Sequence, residues 1–177
     1  KERKSGFLIP TFGATSNTGV DFTQPYYFNI APNMDMTSQL RAMSKRGLQY
    51  GNEFRYMGEN YRGLMAGTYL NRDLQTGTDR WLYTANHMQR LGGGFFAGYN
   101  VSGVSDDNYF NDFATMAVNQ STNTYLPRQA GGGWANEFWQ TSLQVQTYQT
   151  LRPTGTSVAP IYNKVPELTM NGARFDL

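Results

Sequence analysis

Two prolines stand where a strand should not tolerate them. In GFLIPTFGATSNTGVDFTQPYYF, Pro10 and Pro25 interrupt runs otherwise suited to a sheet, and neither has an amide hydrogen to give to a ladder. A two-residue turn at Asn17–Thr18 would set Pro10 opposite Pro25 on a rung that normally exchanges two hydrogen bonds. Each lost bond is worth roughly 0.5–1.5 kcal/mol net, and an orphaned carbonyl costs more in lipid. The chemistry of such a rung is mechanical, a seam that parts easily. The competing account is an edge strand, a bulge or a guard against aggregation.

Other residue types raise more conventional chemistry. Arg41, Arg55 and Arg90, with Glu53, fall on the polar faces of alternating segments. Guanidinium forks suit phosphate groups, but a ladder of charges paired across strands explains them equally well. SDDNYFNDF gathers Asp106, Asp107 and Asp112 with two asparagines. These are weak candidates for a divalent ion, because the spacing of a calcium loop is missing; a solvated or inward-folded loop with Asx turns is the plainer account. His87 is the single histidine. A hydrolytic triad would need a serine beside it, and nothing brings Ser142 near, so a structural histidine is expected and no metal partner stands at ligand spacing. The triplets at 92–94 and 131–133 precede neither a helix nor a Lys-Ser/Thr pair, so they are turns rather than phosphate loops. We expect no enzyme activity and no cofactor.

The elements that must position these residues are strands. Segments of about ten residues alternate in polarity between Gly, Asn and Asp turns, at about 6–15, 20–31, 36–44, 48–57, 63–71, 80–90, 94–104, 124–134, 138–149 and 165–177. Leu48, Tyr50, Phe54 and Tyr56 share one face of the fourth, and Gln49, Glu53 and Arg55 the other. Trp139, Leu143 and Val145 oppose Gln140, Ser142, Gln144 and Gln146 in the ninth. Apolar residues make up 39% and aromatics 15%, with 12 Tyr, 11 Phe and 19 Gly, which favours sheet over helix. Cys is absent and the formal net charge is only +2, so thiolate chemistry is excluded and a nucleic-acid footprint is weak.

No run of roughly 18 apolar residues crosses a membrane as a helix. A barrel strand, however, needs only about 9–11 alternating residues, and a mean hydropathy of -0.58 is compatible with it. Short Gly-rich turns alternate with long polar loops, the layout of an outer-membrane barrel. A soluble sandwich would fill its inner face with Val, Ile and Leu, whereas this one carries Gln, Asn, Ser, Arg and Glu. We therefore expect an all-β fold, an antiparallel transmembrane β-barrel, with about ten strands of a larger one present. Trp81, Tyr83, Trp139 and Tyr148 are candidate interface aromatics. Residues 1–177 would form one N-terminal barrel segment, because ELTMNGARFDL ends inside an alternating strand.

Particular phrases carry a resemblance. KSGFLIPTFG, PYYFNIAPNMD, RGLQYGNEFRYM, VSDDNYFNDF, TNTYLPRQA and VQTYQTL…YNKVPEL resemble the LptD family (also OstA or Imp), the lipopolysaccharide-assembly proteins of the Gram-negative cell outer membrane. The resemblance implies a translocon that inserts lipopolysaccharide into the outer leaflet through a lateral gate beside the first strands, without covalent chemistry. It implies an LptE-like lipoprotein plug, a periplasmic LptA-like bridge reached through an N-terminal jelly-roll, contact with outer-membrane lipids and no nucleic acid. Prolines at the positions of Pro10 and Pro25 would weaken the seam beside that gate. The alternative is a general porin or carbohydrate-binding barrel, which would have no reason to weaken one seam.

Overall fold

The computed structural model describes residues 3–113, 125–159, 161 and 163–172. Eleven strands form one antiparallel sheet: β1 (Gly6–Phe7), β2 (Thr11–Thr15), β3 (Gly19–Ala31), β4 (Met34–Met43), β5 (Gly47–Met57), β6 (Tyr61–Leu70), β7 (Arg80–Gly92), β8 (Phe95–Val104), β9 (Tyr125–Ala135), β10 (Trp139–Thr150) and β11 (Lys164–Gly172). Each strand pairs with its sequence neighbours, except that β1 and β2 both pair with β3. The ten expected segments are all present, the first divided at Leu8–Pro10. Residue 124 of the expected eighth segment and residues 173–177 of the expected last one lie outside the described residues. The triplet 131–133, expected to be a turn, instead lies inside β9 and is paired on both sides, with Phe96–Gly98 of β8 and Ser142–Gln144 of β10. One four-residue helix, α1 (Tyr109–Asp112), interrupts the loop after β8.

Period-two alternation sorts the side chains onto two faces. Cross-strand partners place Leu40, Tyr50, Tyr69 and Trp81 on one row. The same face continues through Phe22, Phe28, Met65, Leu143 and Leu168. These large apolar side chains are exposed, and burying them against a hydrocarbon phase is what their removal from water requires. The opposite face carries Thr23, Arg41 and Gln49 on one row and Asn86, Asn100, Gln129 and Gln146 on another. Such a face suits a water-filled lumen.

Aromatic residues border the apolar face. Trp81 stacks on Tyr83 with centroids 5.7 Å apart at the long-loop end. Tyr56 neighbours Tyr61 at 6.2 Å at the short-turn end. Tyr61 and Tyr69 are the two ends of one strand face on β6, about 27 Å apart along an extended chain. At the usual tilt that is roughly 20 Å along the membrane normal, near the height of a lipid-facing band. Trp81, Tyr83 and Trp139 lie on this face as expected. Tyr148 does not: it pairs with Pro127, next to Gln146↔Gln129 by a two-residue step, on the polar side.

The polar face is not polar throughout. Met43, Leu70, Leu82 and Val104 make an apolar island on it at the long-loop end, joined by Leu126 and Leu151. Tyr109 and Phe113, from the segment around α1, close over the island and are almost fully buried. This is the main buried core, and it lies between sheet and loop rather than between two sheets.

Candidate functional site

The first hairpin turns through three residues, because Thr15 pairs with Gly19. Thr18 gives its amide to Thr15 Oγ1 at 3.0 Å, and Gly19 takes φ +72°. That is the left-handed position of a three-residue hairpin, where a Cβ would be strained. The register is therefore one residue away from the count that sets Pro10 against Pro25. Farther along, Gly6 pairs with Tyr27 and Phe7 with Tyr26, while Thr11 pairs with Thr23. Three residues, Leu8–Pro10, thus face two, Gln24 and Pro25, in the manner of a β-bulge.

The two prolines are staggered, but the ladder is broken at this place all the same. Pro25 O accepts from Leu8 N at 3.0 Å. Both backbone groups of a strand residue point to one side, so the missing Pro25 N–H is the one that Leu8 O would have received. Gln24 Nε2 instead donates to Leu8 O at 2.9 Å and to Pro25 O at 3.0 Å. Ile9, beside the break, is 86% exposed, so the apolar face is bare there.

A second constellation sits at the long-loop end. Asp73 accepts from Arg46 Nη1 at 2.7 Å and Arg80 Nη1 at 3.0 Å. Arg46 Nη2 reaches Asp112 at 2.8 Å, and Arg80 Nη2 reaches Asp112 at 3.0 Å. Arg80 also holds Asp106, through Nε at 2.5 Å and Nη2 at 2.9 Å. Asp73 is fully buried and both arginines nearly so. The Phe113 ring lies 5.1 Å from the Arg46 guanidinium and 5.0 Å from that of Arg80, a cation–π arrangement strengthened by exclusion of water. The Tyr109 hydroxyl bonds Gln49 at 3.1 Å and also Thr68; burial pushes its phenol pKa up. Asn17 of the first turn donates to Asn111 O at 2.7 Å, and Thr154 N donates to Asn108 at 3.1 Å. Four hairpin ends are thereby tied to one inward-folded segment.

Asp106 and Asp112 are engaged by arginine, Asp107 is exposed, and among the described residues no group of three His, Cys, Asp or Glu side chains could hold a metal ion. Arg46, Arg80 and Asp73 escaped the sequence reading, since two arginines near strand ends carry no motif. Their nearest signal was the acid-rich loop, whose charges required partners.

Two of the polar-face candidates, Arg41 and Arg55, form cross-strand pairs. Arg41 bonds Asp21 at 2.9 Å. Arg55 bonds Asp35 at 2.8 Å and lies 3.7 Å from Glu53; Asp35 also accepts from Tyr27 at 3.1 Å. Arg90 is exposed near the short-turn end, with no ion pair among the described residues. His87 lies on the apolar face between Tyr56 and Tyr99, with centroids 5.8 and 5.6 Å away, and its Nδ1 shares a 2.8 Å hydrogen bond with the Tyr56 hydroxyl. Ser142 is on the opposite face, pairing with Gly133, so the two cannot form a triad.

An antiparallel sheet with one aromatic-bordered apolar face, and one polar face roofed by an inward loop, is the wall of a transmembrane β-barrel. The chain belongs to the LptD family, whose profile, described as LPS transport system D, matches residues 78–177. It is 54% identical over 176 residues to the LPS-assembly protein LptD of Bordetella pertussis. The corresponding proteins of Bordetella avium and Ralstonia nicotianae are 51% and 40% identical. Each alignment covers 99% of this chain and 22% of the relative; the chain thus spans about a fifth of the length of these relatives.

Proposed function

We propose that this chain is the N-terminal part of the barrel of a lipopolysaccharide-assembly protein in a Gram-negative outer membrane. Its role is to pass lipopolysaccharide into the outer leaflet through a lateral gate beside the first strands, with no covalent step. One observation carries the reading: the ladder fails at the first hairpin, at Leu8–Pro10 and Pro25, in a chain similar along 99% of its length to LPS-assembly proteins. A passive pore gains nothing from weakening a single seam. Lipid that must leave sideways needs a place where few backbone bonds have to break.

In this reading the saccharide moves along the polar face, whose paired Arg41–Asp21 and Arg55–Asp35 keep fixed charge without a strong net attraction for phosphate. The acyl chains move along the apolar face past Phe7 and Ile9. An LptE-like lipoprotein fills the lumen, and an LptA-like bridge feeds it from the periplasm.

The test is a chimera. Residues 1–177 replace the corresponding segment of the Bordetella pertussis protein, and lipopolysaccharide arriving at the cell surface is labelled. The expected result is assembly of the barrel and delivery near the parental rate. An assembled barrel that leaves lipopolysaccharide behind would refute the reading.

A further inference from the structure

Gln24 is a polar residue on a lipid-facing row. It shares its face of β3 with Phe22, Tyr26 and Phe28, and that face meets Leu40 of β4 across the pair Gln24↔Leu40. A primary amide in that position is unfavourable unless its donors are used. Both are used on backbone carbonyls at one spot, Leu8 O at 2.9 Å and Pro25 O at 3.0 Å. Leu8 O is the acceptor that Pro25, lacking an N–H, cannot serve.

We propose that Gln24 is a positioning residue of the seam, its side-chain amide standing in for the missing Pro25 N–H. A proline alone would leave Leu8 O without a donor in a place with little water. A residue with an ordinary N–H would give a full rung. The Pro25–Gln24 pair gives a third state, a rung closed by a side chain that can rotate away while the β3 backbone stays in its ladder with β4. The seam can therefore open at β1 without disturbing Pro25↔Gln39 and its neighbours. This inference rests on the gate reading only for its use; the hydrogen-bond substitution stands or falls by itself.

The substitution is testable by a double-mutant cycle in the complete barrel protein in lipid nanodiscs. The readouts are amide exchange of the peptide containing Leu8 and, separately, delivery of lipopolysaccharide in cells. Gln24→Met keeps length and removes both donors. Its Leu8 amide, which bonds Pro25 O at 3.0 Å, should exchange roughly five- to tenfold faster, the effect of one hydrogen bond. In the Pro25→Ala background the residue 25 N–H serves Leu8 O, so Gln24→Met should change exchange less than about twofold, within the additivity error of such cycles. An equal effect in both backgrounds, or none in either, would overturn the proposal. If Gln24→Met alone does not assemble, the double variant decides: recovered assembly supports the substitution and continued failure overturns it. Accelerated exchange with unchanged delivery would support the hydrogen-bond role while rejecting the gate.

Discussion

The Arg80 guanidinium grips the Asp106 carboxylate with two of its nitrogens, Nε and Nη2, across 26 residues of chain. Arg80 opens β7 and Asp106 begins the segment that turns back over the polar face. The pair therefore fixes the inward course of residues 105–113. Arg46, Asp73 and Asp112 complete the buried cluster. Its net formal charge is −1, and each arginine serves two or more carboxylates.

Arg80→Met should release this segment. It leaves Asp73, Asp106 and Asp112 with one arginine among them, and breaking a buried ion pair from one side costs about 3–5 kcal/mol. Limited proteolysis should then cut near residues 105–113 in the folded barrel, and heat-modified gel migration should shift to lower temperature. Unchanged protection would show that the apolar island alone holds the loop.

Phe113→Ala should empty the space between the two guanidiniums and uncover Leu70, Leu82 and Val104. The expected loss is about 3–5 kcal/mol for a buried aromatic. In cells carrying the complete barrel, influx of a bulky antibiotic should increase, because Tyr109 and Phe113 roof this part of the lumen. Tyr109→Phe is the milder comparison, removing only the hydroxyl bonds to Gln49 and Thr68.

The two faces predict opposite outcomes for neighbouring residues. Leu143→Lys puts an ammonium among Phe22-type lipid-facing positions and should lower stability by about 2–4 kcal/mol if near the midplane. Gln144→Lys, one residue on, enters the lumen face beside Gly131 and should be almost neutral. Chemical unfolding in lipid vesicles measures both, and equal effects would contradict the assignment of faces.

Replacing Pro10 and Pro25 together with alanine should slow delivery of lipopolysaccharide. Pro25→Ala alone restores a ladder donor worth roughly 0.5–1.5 kcal/mol. Pulse-labelled lipopolysaccharide at the surface is the readout, and unaltered delivery would remove the prolines from the gate.

Strand positions were legible because alternation has period two and the turns are marked by Gly, Asn and Asp. Hairpins such as Lys45–Gly47 and Gly92–Gly94, with positive φ at Gly47 and Gly92–Gly94, followed from that chemistry. The register of the first hairpin was not legible. SNTG suits a two- or a three-residue turn, and the hydrogen bond from Thr18 N to Thr15 Oγ1 selects the longer one. The apolar island was hidden for a different reason. Met43, Leu70, Leu82 and Val104 lie near strand ends, where one or two exceptions do not disturb a pattern, and their partner is a loop with no periodicity. Gln24 looked like ordinary alternation within DFTQPYYF; only the geometry of Leu8 and Pro25 shows what its amide does.

The most direct test of the gate is a staple across the seam. Phe7 and Tyr26 are Cα partners on β1 and β3, a separation that a disulfide spans, and this segment has no cysteine of its own. Phe7→Cys with Tyr26→Cys in the complete barrel, oxidised in cells, is compared with each single variant and with Leu143→Cys/Leu168→Cys, partners on β10 and β11. The gate account predicts that delivery of new lipopolysaccharide stops only with the seam staple. Delivery continuing at the parental rate with the Phe7–Tyr26 staple fully formed would contradict it.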